Sequence, residues 1–386
     1  MESMRSALFS FKVSNDPAVI TSRVHDVLRA FFPLLTEKQE LPLGPDNGFL
    51  VAFTGVSAAF TFSLRYYQAE HYYTLTGDVS KSCEAAFERF TNAGMEKLQA
   101  ALCSGVPGVK DVERLLVMKR NCAVPQYFEK SNNKVLEYDF DQVVHHEKSP
   151  YQDIKILHSP TLGNVLLLDD LQNLGECDIN YTHGLMKFGV NSYKDKEVLI
   201  LGGGDGGLLH ELLKESPKFV TMVDIDGAVM NACKVHLRGA CGDSLDSFTG
   251  TNYEVIVGDC LQYMKRYAEE GRQFDYVFND LTDIPISSKD SKQKDEQPTL
   301  ELWEFVLKIL KLGLPLVKPD GKYLNHAIGV SCVSALEEYE KVLKQLPIKV
   351  NFTSHTAFVP SFMEEWVFYE ITKAEAEAEA EEPSAA

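Results

Sequence analysis

The chain is short of positive charge: 38 lysines and arginines stand against 56 aspartates and glutamates, a formal net charge of −18. That balance argues against nucleic-acid and anionic-membrane partners and favours a cationic ligand. The acidity persists when the five glutamates of the alternating Ala/Glu stretch from Ala374 to Glu382 are set aside as a disordered tail. Paired cysteines are missing as well. The eight cysteines are scattered without a CxxC pair, which reads as reduced thiols in a cytoplasmic protein. Cys233, His236 and Cys241 have no fourth partner at zinc spacing, so no metal is expected. The N-terminus has no apolar signal-like core, and no apolar run approaches the ~18 residues of a membrane span. What the chain does have is length: 386 residues, 45% of them apolar, predict more than one core.

The pattern changes along the chain. A strand from Ala7 to Val13 is followed by a helix over Pro17 to Phe32 with Asp16 as N-cap, then by β-rich segments and a helix from Lys81 to Leu102. This predicts a compact α+β module over residues 1–120. Between 121 and 175, alternating residues and turn signals at Asn132-Asn133 and Gly163-Asn164 predict a small antiparallel sheet. Residues 176–373 alternate short apolar strands with helices, the mark of a doubly wound, mainly parallel α/β sheet whose ligands sit at the carboxyl ends of the strands. The charged stretch Lys289 to Pro298 interrupts that rhythm and reads as a loop. No internal repeat is visible.

Chemistry concentrates at those strand ends. Leu201-Gly202-Gly203-Gly204-Asp205-Gly206-Gly207 follows a strand and opens a helix, and Gly202, Gly204 and Gly207 satisfy the dinucleotide-loop spacing. Asp205 opposes a dinucleotide, because a carboxylate in that turn would repel pyrophosphate. As a plain helix cap it would carry no such meaning. Asp224 with Asp226, Asp259 and Asp280 each end a further strand. Acids after four strands would ring one crevice suited to a nucleoside and a cationic co-substrate. An amine nucleophile is protonated near neutrality, so it needs a base, and Asp280 fits that role. A sulfonium electrophile leaves as a neutral thioether without acid help, which suits a site of aspartates and tyrosines with no evident histidine.

These residues resemble those of the polyamine aminopropyltransferases, and within them the spermine synthases. The likeness runs from about Gln126 to Thr372 through Ser149-Pro150-Tyr151-Gln152, the Gly-Gly-Gly-Asp-Gly-Gly turn, Asn279-Asp280-Leu281-Thr282, Gly321-Lys322-Tyr323 and Trp366-Val367-Phe368-Tyr369. It implies a Rossmann-like, methyltransferase-type catalytic domain. It also implies an N-terminal dimerisation domain related to half of S-adenosylmethionine decarboxylase, and hence a homodimer. The implied activity moves the aminopropyl group of decarboxylated S-adenosylmethionine, a co-substrate rather than a cofactor, to spermidine.

On this resemblance Asp280 accepts the proton, Asp205 holds the amine ends of both substrates, and Tyr181 orients the attacking amine. Gln152 contacts the donor, Asp224 takes the place of the family's ribose-binding Glu, and Asp259 with Cys260 forms the adenine pair. Glu364 holds the distal end of spermidine. Two positions depart from the pattern: Phe362 replaces a tyrosine, and Asp283 adds an acid reminiscent of enzymes that accept putrescine. The alternatives are such a spermidine synthase, a small-molecule methyltransferase, a nicotinamide dehydrogenase, and a catalytically silent dimeric polyamine sensor.

Overall fold

The computed structural model describes residues 3–44, 47–55, 59–130, 134–285 and 296–374, and the chain divides into two units, Met1–Gln126 and Tyr127–Ala386. In the first, antiparallel strands run in the order Leu35–Pro42, Phe49–Gly55, Phe60–Tyr67, Tyr72–Ser80, Met4–Lys12 and Glu113–Arg114, with Met118–Arg120 also pairing Met4–Lys12. Strict alternation of buried and half-buried residues along Phe60–Tyr67 and Tyr72–Ser80 turns Phe60, Phe62, Leu64 and Leu75 to one face. The same core takes in Ile20, Val24 and Leu28 of helix Pro17–Phe31 and Met95, Leu98 and Leu102 of helix Asn92–Gly105.

One expectation fails in this unit, and one strand was not foreseen. The helix predicted over Lys81 to Leu102 is two, Glu84–Phe87 and Asn92–Gly105. Between them Phe90 is buried and Thr91 caps the second helix, its hydroxyl accepting from the Gly94 N–H at 3.0 Å. That satisfies an amide a continuous helix would have bonded internally. The strand Leu35–Pro42 was not anticipated; its polar run Thr36 to Glu40 hides an edge strand.

The second unit opens with the hairpin Tyr127–Glu129 and Val135–Glu137, whose predicted Asn132-Asn133 turn lies outside the described residues. A four-stranded antiparallel sheet follows: Gln142–Lys148, Asp153–Ser159, Gly163–Leu168 and Leu171–Gly175. Helix α1 (Ile179–Met186) leads into the large sheet. Its elements are β1 (Glu197–Gly202), α2 (Gly207–Lys214), β2 (Phe219–Asp224), α3 (Gly227–His236), β3 (Tyr253–Val257), α4 (Cys260–Glu269) and β4 (Phe274–Asp280). Then come α5 (Glu296–Gly313), β5 (Val317–Gly329), α6 (Val333–Lys344), β6 (Val350–Val359) and β7 (Glu364–Lys373).

The strand order is β3-β2-β1-β4-β5-β7-β6, with the first five parallel and β7 antiparallel to both its neighbours. This is the doubly wound arrangement foreseen, closed at one edge by an antiparallel pair that was not. Val198 to Leu201 of β1 are wholly buried, as a central strand covered on both faces must be. Ile154, Ile156, Leu166 and Leu174 of the small sheet share its core. Of the charged stretch, residues 289–295 lie outside the described residues, whereas 296–298 begin α5 rather than a loop. Among the described residues no helix is long and apolar enough to cross a membrane, and the tail from residue 375 is not described.

Candidate active site

Strand order reverses between β1 and β4, and at this switch the carboxyl ends of the strands open a cavity of about 450 Å³. Its floor is the glycine turn. Gly202 lies opposite Asp280 in the β1–β4 register, and the Gly203 N–H donates to the Asp280 carbonyl at 3.2 Å. Gly202, Gly203 and Gly206 have positive φ of 86°, 78° and 80°, a backbone path that only glycine follows without strain. That path turns Asp205 into the cavity. Its Oδ1 accepts from the Gly207 N–H at 2.7 Å, while Gly206 holds the N-cap position of α2, so the carboxylate steadies the first turn of the helix and also forms a cavity wall.

The nucleoside side is built by carboxylates that also hold backbone. Asp224, at the end of β2, accepts from the Gly204 N–H at 2.9 Å and the Asp226 N–H at 2.8 Å. Asp226 caps α3 through the Ala228 N–H and receives the Gln152 side-chain amide at 2.9 Å and the Ser149 hydroxyl at 2.6 Å. Gln152 is thereby pinned across the mouth of the cavity, joining the small sheet to the large one. Asp259 caps α4 through the Leu261 N–H at 2.9 Å, and Cys260 beside it has its thiol pushed up to about 12 by burial. Gln152, Asp224, Asp259 and Cys260 line the cavity, as do Gly202 and Gly204, whereas Asp226 does not.

On the opposite side stands the reactive pair. The Tyr181 hydroxyl, carried on α1, donates to Asp280 Oδ1 at 2.9 Å. Burial, then the carboxylates around it, push the phenol far above its ordinary range, so it stays a donor. Burial also raises the Asp280 carboxyl, and burial with the Asp280 charge raises Asp205. Asp178 sets this wall. Buried just before α1, it accepts from the Gly175 N–H at 2.6 Å and the Ser361 N–H at 2.9 Å. It so ties the Pro360–Phe362 turn to the small sheet and sets Phe362 edge-on to Tyr181, rings 6.1 Å apart at 77°.

Asp283 and Phe362 line the cavity; Glu364 does not. Glu364 Oε1 instead accepts from the Ser331 N–H at 3.2 Å and from the Ser331 hydroxyl. The expectation of a site without histidine is also overturned. His326, on β5, is buried on the cavity wall, its Nδ1 3.2 Å from Asp283 and its Nε2 3.9 Å from Asp280. The strand-end rule that singled out the aspartates pointed there too, but the sequence pattern predicts this strand only over Tyr323 to Asn325, whereas β5 runs on to Gly329. Lys130 was missed as well. Its ammonium donates to Gln172 Oε1, which lines the cavity, and lies 5.9 Å from the Phe362 ring. Burial lowers its pKa to about 8, against the pull of Glu364 and Asp178.

The spermine/spermidine synthase domain model matches residues 178–382, and the model described as a spermidine synthase tetramerisation domain matches residues 126–176. The polyamine aminopropyltransferase of Pyrobaculum arsenaticum is 34% identical over 238 residues, 60% of this chain and 76% of that protein. That of Desulforudis audaxviator is 35% identical over 205 residues, 52% of this chain and 70% of its own length. Among solved structures, a spermidine synthase from Thermotoga maritima superposes with a TM-score of 0.49 and 22% identity over 64% of this chain and 78% of its own. The family model spans more than half of the chain, and the chain belongs to the spermine/spermidine synthase family, the polyamine aminopropyltransferases.

Proposed function

We propose that the protein moves the aminopropyl group of decarboxylated S-adenosylmethionine to spermidine, giving spermine and 5'-methylthioadenosine. The observation that carries the transfer chemistry is the convergence of Asp205, Asp280 and Tyr181 on one cavity, with Asp280 bonded to Tyr181. The acceptor ammonium, with a pKa on the order of 10, gives its proton to Asp280. The freed nitrogen lone pair attacks the aminopropyl carbon beside sulfur. The C–N bond forms, the C–S bond breaks, and its electron pair neutralises the sulfonium. Asp205 attracts the amine ends and disfavours intact S-adenosylmethionine, whose carboxylate would face it. Gln152, Asp224, Asp259 and Cys260 hold the nucleoside. The tetramerisation-domain match and the N-terminal unit support a symmetric oligomer.

Spermidine as the acceptor rests on the spermine-synthase wording of the sequence motifs. A second reading, putrescine, is favoured by the Lys130 ammonium near Phe362 and by the engagement of Glu364 with Ser331, since a triamine would bring its third charge toward a cation. Supplying decarboxylated S-adenosylmethionine with putrescine or spermidine and weighing the products decides between them. No methylthioadenosine with either amine would reject both. Lys130→Met keeps most of the stem and removes the charge; it should shift the kcat/KM ratio toward spermidine by about tenfold. An unchanged ratio would detach Lys130 from acceptor choice.

Tyr181→Phe should leave the ring packed against Phe368 and Phe362 but delete the hydrogen bond to Asp280. A charge-assisted bond of this kind predicts a loss of about 10- to 100-fold in kcat. The KM for the nucleoside should barely move, and a change confined to that KM would place Tyr181 on the wrong substrate.

A further inference from the structure

Six aspartates line the cavity, namely Asp169, Asp205, Asp224, Asp259, Asp280 and Asp283; among the described lining residues His326 is the one basic side chain. It is 5% exposed. The ring stands between Asp283, whose side chain is 52% exposed at the cavity rim, and Asp280, 8% exposed inside it. Asp280 Oδ1, 3.9 Å from Nε2, is the oxygen that accepts the Tyr181 hydroxyl. On the other side of the ring, Nδ1 lies 3.2 Å from an Asp283 carboxylate oxygen, within reach of an ion pair.

We propose that His326 is a positioning residue for the base: as an imidazolium between Asp283 and Asp280 it keeps Asp280 ionised and ready for the acceptor's proton. The inference rests on the reading of Asp280 as that base. A buried carboxylate facing other carboxylates tends to hold its proton and lose its use as a base. His326 supplies the opposing charge from within the protein before any cationic substrate arrives.

The titratable groups facing the ring are Asp280 at the end of β4, Asp283 in the loop beyond it, and Tyr181 from α1, 5.7 Å away between ring centres. Burial works to discharge the imidazole, and Asp283 with Asp280 more than offsets it, leaving its pKa above the ordinary value. Seen from Asp280, burial raises the carboxyl, and His326 opposes this more strongly than the Tyr181 hydrogen bond does.

The test is kcat/KM for the acceptor against pH in the full-length chain and in His326→Gln, which keeps a polar side chain of similar reach without the charge. Loss of an opposite charge at this separation should move the acidic limb upward by roughly one to three pH units. Activity then falls about tenfold or more near neutrality and returns as the pH rises. A uniform loss at every pH, with the limb in place, would mean a merely structural role and overturn the proposal. Asp280→Asn keeps the two ideas apart, because substantial activity in that variant removes Asp280 as the base whatever His326 does. Should His326→Gln fail to fold, the imidazole nitrogen shifts of the wild-type chain, labelled in histidine, serve instead. A charged ring at neutral pH is expected, and a neutral one would overturn the proposal.

Discussion

Asp280→Asn is expected to cut kcat by about 10²- to 10⁴-fold at every pH. The amide has nearly the carboxylate's volume and can still accept the Tyr181 hydroxyl at Oδ1, but it cannot take a proton from an ammonium. Fold stability should hold or rise. Asp280 has its pKa raised in the folded chain, chiefly by burial, so between the unfolded and folded pKa values the native state binds more protons than the unfolded one. Stability therefore falls as pH rises through that window and stays lowered above it. Asn carries no such penalty, and thermal melts of the variant should show a weaker decline over the same range. A variant that keeps turnover, or that loses it only by unfolding, would remove Asp280 from proton transfer.

How much of this was legible beforehand follows from what each residue depends on. Asp205, Asp224, Asp259 and Asp280 could be picked out because a parallel sheet places every strand end on one rim, so position along the chain already implies position in space. Tyr181 and Gln152 were reached only through resemblance. They enter from a helix and a turn outside the alternating strands, and nothing local directs them to the rim. Lys130 reaches the cavity through Gln172, 42 residues away in sequence, a meeting set by how the hairpin folds over the small sheet. Glu364 stands off the cavity for a similar reason. Being at the right place on β7 does not decide where a side chain bonds when Ser331, in the turn between β5 and α6, offers both an amide and a hydroxyl. His326 is the instructive miss, because its strand was foreseen and only its length was not. Asn325 pairs with Asn279 in the β4–β5 register, so a single further residue brought a basic ring level with Asp280.

Gly202→Ala is expected to damage stability and turnover together, and Gly189→Ala shows why by contrast. The two glycines have similar positive φ, 86° and 78°, a conformation that costs a non-glycine residue about 1–3 kcal/mol. A Cβ at Gly189 would meet nothing within 4 Å, whereas one at Gly202 would lie 2.1 Å from the Asp280 carbonyl oxygen and 2.7 Å from its carbon. No rotamer relieves a clash with backbone. Either the end of β4 moves away, which also disturbs the Gly203 N–H bond to the same carbonyl, or the glycine turn does. Each movement displaces Asp280 relative to Asp205, and small displacements of reacting groups are costly to rate. Denaturant melts should therefore place Gly202→Ala below Gly189→Ala, and kcat should fall about 100-fold or more in the first while the second keeps nearly full activity. Equal stability and equal turnover in the two variants would show that the close approach of the glycine turn to Asp280 does not hold the base in place.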